Sequence, residues 1–123
     1  MTSFSLDNNQ AKYQIHAFKP GHIQVNDKIY HHSLIICAQQ LIENWAPTQA
    51  SEITAEALAT IQPLAPTILL IGTGETQEFI PLEMYGELLN QGIGVEVMST
   101  AAACRTYNAL TADNRKVVAA LVI

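Results

Sequence analysis

The chain has 123 residues, 49% hydrophobic and only 14% charged, which fits one compact globular domain and excludes a disordered segment. Six Lys and Arg stand against eleven Asp and Glu, a formal charge of −5. The basic residues Lys12, Lys19, Lys28, Arg105, Arg115 and Lys116 are scattered, so no cationic stripe is available to a row of phosphates and nucleic acid is not an expected partner.

Met1 to Gln10 carries no Lys or Arg, unlike a secretory n-region or an Arg-rich transit peptide. The longest apolar run, Val117 to Ile123, falls far short of the roughly 18 residues of a membrane span. The expectation is a cytoplasmic, non-spanning chain folded as one domain over 1–123, with a flexible N-terminus at 1–12.

Tyr13 to Phe18 and His22 to Val25 alternate polar and apolar residues, separated and followed by the turn residues Lys19-Pro20-Gly21 and Asn26-Asp27. This predicts a β-meander, continuing through Lys28 to Ala38. Gln39 to Trp45 fits a strand or a short helix, and the strand is preferred; Ala46-Pro47 stops either. Thr54 is a plausible helix cap with Glu56 in the first turn, and Ala55 to Ile61 is helix-prone until Pro63 and Pro66.

Thr67 to Gly72 is β-rich without polar alternation, as expected of a central strand covered on both faces. Pro81 suits the first position of a helix whose apolar face is Leu82, Tyr85, Leu88 and Leu89, with Glu83 and Glu87 on the other side and Gly92 at its end. Gly86 inside that helix costs about 1 kcal/mol relative to Ala, which points to close packing or a tolerated defect. Val95 and Val97 flank Glu96 in a further strand. Thr100 then caps a helix to about Leu110, Asp113-Asn114 turns the chain, and Val117 to Ile123 is a last buried strand. Alternating strands and helices predict an α/β fold with a partly parallel sheet.

Candidate chemistry concentrates between Gly72 and Asn108. Gly72-Thr73-Gly74 follows a buried strand, where open α/β sheets place ligand loops. A dinucleotide fingerprint needs a further Gly where Gln77 stands, and no Gly-Lys-Ser/Thr follows, so a plain turn is preferred to nucleotide binding. Thr100 opens a helix whose free N–H groups, with Arg105 one turn on, can hold an anion; the bland alternative is a cap and an ion pair of Arg105 with Glu75 or Glu78. Cys104 lies close enough to that helix start for its dipole and Arg105 to favour a thiolate. All four His residues precede Ser33, however, and a small packing residue is the better reading.

Cys37 and Cys104 lack C-x-x-C spacing and read as reduced thiols, Cys37 within the apolar run Leu34 to Ala38. His31-His32 on a strand point to opposite faces and do not share a metal, and His16 and His22 add no ligand spacing. Glu83 and Glu87 read as a solvated face. No metal or cofactor is therefore expected.

Gly72-Thr73-Gly74, Pro81, the run Gly92 to Thr100, the run Ala102 to Leu110 and Arg115 together resemble a family of small domains. It is the family that includes mitochondrial respiratory complex I assembly factor three and the adipogenesis-associated Mth-type protein, and the likeness spans Tyr13 to Ile123. The resemblance implies a three-layer α/β fold on a central mixed sheet, with an N-terminal β-rich portion packed beside it. It implies no established enzymatic activity, and complex I assembly in a eukaryotic branch whose targeting extension is not expected here.

The leading expectation is a non-enzymatic binding or assembly factor with a protein partner, such as a respiratory-complex subunit or another assembly factor; self-association is left open. The alternative is a small-anion or metabolite protein, or an enzyme, whose pocket unites Gly72, Thr73, Gly74, Thr100, Cys104 and Arg105. In the blandest version these residues only specify the fold, with Tyr107 and Asn108 satisfying buried backbone groups.

Overall fold

The computed structural model describes residues 9–123. Among them, β1 (Ile15–Lys19), β2 (His22–Val25) and β3 (Lys28–Tyr30) form an antiparallel sheet in the order β1-β2-β3. Gly21 and Asn26 turn the chain with φ of 81° and 53°, the left-handed conformation that Gly and Asn adopt at least cost. Ile23 pairs with Tyr30 and Gln24 with Ile29. Directly paired side chains share a face, so Ile23 is buried while Ile29 stands on the outer face, exposed.

The meander does not continue to Ala38, as the alternation had implied. The chain leaves this sheet after Tyr30, and β4 (Leu34–Cys37) enters a second one with β5 (Leu41–Ile42), β6 (Ile68–Gly72), β7 (Gly94–Met98) and β8 (Val117–Leu121). Burial explains the change of sheet. Leu34, Ile35 and Ile36 are all buried, and such a run needs cover on both faces, which the edge of a three-stranded meander does not provide. In the Gln39 to Trp45 segment only Leu41–Ile42 is strand. Trp45 instead donates its indole N–H to the Ala57 carbonyl at 2.9 Å.

The second sheet runs β5-β4-β8-β6-β7, so β6 is interior but the middle place belongs to β8. β4 pairs antiparallel with β5 and β8, whereas β8–β6 and β6–β7 are parallel. Parallel strands need long crossovers, supplied here by α2 (Leu82–Asn90) and α3 (Thr100–Ala112). Alternate strand residues feed two cores. Ile35, Leu69, Ile71, Val118 and Ala120 are covered by Trp45, by Leu58 of the short helix α1 (Ala55–Leu58), by Ile61 and by Leu88 of α2. On the opposite face Leu34, Ile36, Leu70, Val117, Ala119 and Leu121 meet Ala103, Cys104 and Tyr107 of α3, together with Ile15, Ile23 and Val25 of the first sheet. The result is a three-layer α/β fold whose N-terminal strands share a layer with α3.

Thr54 caps α1 as the sequence implies, accepting from the Ala57 N–H at 3.2 Å. The helix tightens to 3₁₀ geometry over Ala59–Leu64 around Pro63. Pro81 is the cap of α2 and not its first residue, because its ψ of 141° is still extended. Of the N-terminus expected to be flexible, residues 1–8 lie outside the described residues, and 9–12 are tied down. Asn9 is buried and donates to the Thr111 hydroxyl at 3.0 Å, and the Lys12 N–H donates to the Ala38 carbonyl at 2.8 Å.

Gly86 faces open space where a Cβ would stand, so the close packing considered for it does not occur among the described residues. Gly86→Ala removes the backbone-entropy cost of a helix-interior Gly and is expected to stabilise the fold by about 0.5–1 kcal/mol, read as a higher urea midpoint. A lower midpoint would show that α2 needs Gly86 internally.

Candidate functional site

β6 and β8 run parallel and end together at Gly72 and Leu121, and the N-terminus of α3 closes over those ends. Its cap is Ser99, whose hydroxyl accepts from the Ala102 N–H at 3.3 Å, and not Thr100 as read from the sequence. Ser99 is the residue that turns out of β7, with the extended backbone (φ −64°, ψ 156°) a cap requires. Thr100 is thereby drawn inward and fully buried.

There Thr100 joins three segments. Its hydroxyl donates to the Val122 carbonyl at 2.6 Å and accepts from the Gly74 N–H at 2.8 Å, while its own N–H donates to the Gly74 carbonyl at 2.8 Å. The Val122 N–H returns to the Gly72 carbonyl at 2.9 Å. Thr73 is equally committed: its hydroxyl donates to the Thr76 carbonyl at 2.6 Å and accepts from the Glu78 N–H at 3.0 Å. The two glycines serve different ends. A Cβ at Gly72 would stand 2.9 Å from the Thr100 hydroxyl and 3.0 Å from the Thr100 Cα, so Gly72 provides space. Gly74 has φ 107° and nothing near a Cβ, so it provides backbone conformation.

The helix start has correspondingly few groups left for an anion, since the N–H groups of Thr100, Ala102 and Ala103 already bond to Gly74 and Ser99. Of the six residues proposed from sequence to share one pocket, Gly72 and Thr100 line neither of two clefts and the other four are divided between them. Thr73 and Gly74 lie on a cleft of about 340 Å³ with Glu75, Glu78, Phe18 and Thr48. Cys104 and Arg105 lie on another of about 200 Å³ with His16, Phe18 and Asn108. The division follows from helix geometry: Cys104 is a full turn beyond Thr100, on the face packed against β1, and Phe18 stands between the clefts. Arg105 is exposed and does not share the cleft of Glu75 and Glu78.

Burial pushes the Cys104 thiol up from 9.0 to about 12, against a smaller opposing pull from Arg105. Desolvation therefore outweighs the charge that was expected to favour a thiolate. Tyr107 is likewise raised by burial, and its hydroxyl donates to the Tyr13 carbonyl at 2.7 Å. Asn108 accepts from the Ile15 N–H at 3.1 Å and donates to the Ile15 carbonyl, next to the bulge between Ile15 and Ala17. Both residues satisfy backbone groups, as the blandest sequence reading held. One pair was not legible in the sequence: the rings of His22 and His31 meet edge to face, 4.7 Å between centroids, brought together by the β2–β3 pairing. Among the described residues no group of three or more His, Cys, Asp or Glu is placed to hold a metal, and no helix is long and apolar enough to cross a membrane.

These features define a small α/β domain whose sheet end is sealed by hydrogen bonds between a strand-end loop and a helix start. The chain belongs to the family described as protein of unknown function (DUF498/DUF598), whose model matches residues 15–122. It is 33% identical over 118 residues to a Francisella tularensis protein named 13 kDa major membrane protein, covering 95% of this chain and 96% of that one. It is also 31% identical over 110 residues to the Danio rerio NADH dehydrogenase (ubiquinone) 1 alpha subcomplex assembly factor 3, covering 88% of this chain but 63% of that protein. Among solved structures it is similar to a Bordetella parapertussis protein, with TM-score 0.85, 38% identity and coverage of 90% of this chain and 95% of that one. A Bordetella pertussis protein described as a Mth938-like domain matches with TM-score 0.76, 30% identity and coverage of 98% and 89%. The fold and the family implied by the sequence resemblance are thus both present.

Thr100→Val keeps the shape of the side chain but strands the buried Val122 carbonyl and the Gly74 N–H. The expected loss is about 1–3 kcal/mol, measured by urea denaturation; an unchanged midpoint would mean that the junction contributes nothing to stability. The raised Cys104 thiol has a signed pH consequence. The folded state holds this proton above the pH at which the unfolded chain releases it, so the contribution of Cys104 is intact below about pH 9 and declines as pH rises from 9.0 toward 12. Between about pH 8 and about pH 10.5 the wild type should lose more stability than Cys104→Ala; equal losses would place the thiol in water.

Proposed function

We propose that this chain is a binding or assembly factor that acts through a protein partner and not through catalysis, in a role related to respiratory complex I assembly. One observation carries the reading. The hydroxyls of Thr73 and Thr100 and the Gly74 N–H, at the place where open α/β sheets present reactive loops, are already bonded within the chain, to Thr76, Glu78, Val122 and one another, whereas catalysis needs preorganised groups directed at a substrate. The Danio rerio relative named as an assembly factor supports the same reading. The proposal includes a cytoplasmic chain that meets a membrane complex from the aqueous side, which accommodates both the lack, among the described residues, of a helix able to cross a membrane and the name of the Francisella tularensis relative.

The test is affinity purification of the tagged full chain at endogenous level from detergent-solubilised native cells. Reproducible enrichment of a protein partner, a respiratory-complex subunit foremost, is the expected result; no enriched protein would overturn the proposal.

A second reading has its own observation, the cleft of about 200 Å³ lined by Arg105 and His16, which suits a small anion better than the neighbouring cleft bearing Glu75 and Glu78. An anionic metabolite bound there raises the melting temperature of the wild type and not of Arg105→Ala. Equal shifts in both proteins, or none, would remove this reading.

A further inference from the structure

Among the described residues the exposed large apolar side chains are Ile29, Phe79, Leu82 and Leu89, with Phe79 at 84% and Leu82 at 58% exposure. Three of the four belong to one short stretch. Leu82, Gly86 and Leu89 are spaced i, i+4, i+7 and so lie along one stripe of α2. Phe79 stands three residues ahead of Leu82, within about 11 Å at 3.8 Å per residue. The core side of the helix is different: Met84, Tyr85 and Leu88 pack inward. The stripe is therefore surplus to the fold. Among the described residues Gly86 at its centre has no neighbour that would meet a Cβ, so nothing among them requires the helix to carry its least favourable residue apart from Pro. It leaves a gap between Leu82 and Leu89 that a knob from outside can enter.

The charge beside the stripe selects what enters. Every charged residue between positions 75 and 90 is a glutamate, namely Glu75, Glu78, Glu83 and Glu87, and no Lys or Arg occurs between Lys28 and Arg105. All four glutamates are exposed. A second copy of this chain would bring the same carboxylates against each other, and an anionic lipid surface would be repelled.

We propose that Phe79, Leu82, Gly86 and Leu89 form a docking stripe for a basic amphipathic helix of a partner protein, its apolar residues seated on the leucines and its Lys or Arg side chains paired with Glu83 and Glu87. The proposal rests on the reading of the chain as a protein-binding factor and adds the surface and the partner's chemistry. The occupant is held by burial of the apolar stripe, and the glutamates set its orientation and the rate of encounter.

The experiment repeats the affinity purification with Leu82→Ser, Gly86→Ala, the double variant Glu83→Lys/Glu87→Lys, and Ile29→Ser as a control at the other exposed apolar position. Circular dichroism melting establishes that each variant folds; Gly86→Ala is expected to melt no lower than the wild type. Recovery of the partner should fall at least about tenfold with Leu82→Ser and with Gly86→Ala, fall with the charge reversal, and hold with Ile29→Ser. A synthetic peptide copied from the partner's basic helix should bind the wild type more weakly as salt rises.

Full recovery with Leu82→Ser and Gly86→Ala overturns the stripe while leaving the protein-binding reading intact, and no enriched protein from the wild type defeats that reading itself. Binding of the wild type to phosphatidylglycerol vesicles that Leu82→Ser abolishes, or a homodimer in sedimentation equilibrium that Leu82→Ser dissolves, would also overturn the proposal in favour of a lipid or a second copy.

Discussion

The junction at Thr100 is the constraint on which the rest of this structure depends. One buried hydroxyl gives its proton to the Val122 carbonyl beyond β8 and takes one from the Gly74 N–H beyond β6. The ends of two parallel strands and the start of α3 are thereby fixed by a single side chain. A serine at this position would keep both bonds but lose a buried methyl group. A valine would fill the space and lose the bonds. Gly72 is the complement of that choice, since a Cβ there would stand 3.0 Å from the Thr100 Cα, and backbone cannot yield as a flexible side chain can.

From that fixed start, α3 acts as the tie between the two sheets. Ala103 and Tyr107 pack against the five-stranded sheet, while the Tyr107 hydroxyl and the Asn108 amide bond the backbone of Tyr13 and Ile15. The Asn108 amide supplies one donor and one acceptor to Ile15, as a neighbouring strand would. An isolated three-stranded meander is marginal in water. Here its inner face is covered by the second core, and one of its strands is bonded by a helix. Thr111 extends the tie to Asn9, so the chain is anchored before the first strand begins.

The same economy separates the two ends of the molecule in chemical character. The sheet end near Thr100 is polar but internally satisfied, and the cleft beside it is lined by carboxylates. Cys104, one turn further along α3, is kept protonated by burial despite Arg105 next to it in sequence. The α2 side carries apolar surface and negative charge with no basic residue interspersed. Polar groups at the strand-end loop are bonded within the chain, and Leu82 and Leu89 leave apolar surface on a helix whose core face is Met84, Tyr85 and Leu88.

Much of this was legible in the residues themselves because it rests on local physics. β6 followed from an apolar run without alternation, α2 and α3 from their spacing, the turns from Gly21 and Asn26, and the cap of α1 from Thr54, since each depends on neighbours a few positions away. The family likeness, read from the order of residues between Gly72 and Arg115, also held. Tertiary structure decided what depends on distant partners. Whether β4 joined the meander turned on β8, more than 80 residues later, offering two-sided cover. Which of Ser99 and Thr100 became the cap turned on Gly74 and Val122, because both residue types have the same local preference. The single pocket imagined around Thr73 and Arg105 became two clefts for a similar reason: sequence proximity to a helix start does not say on which side of Phe18 a side chain falls. The chain alone determined the elements and their class. The pairing of β4 with β8 and the packing of α3 determined which polar groups are bonded within the chain.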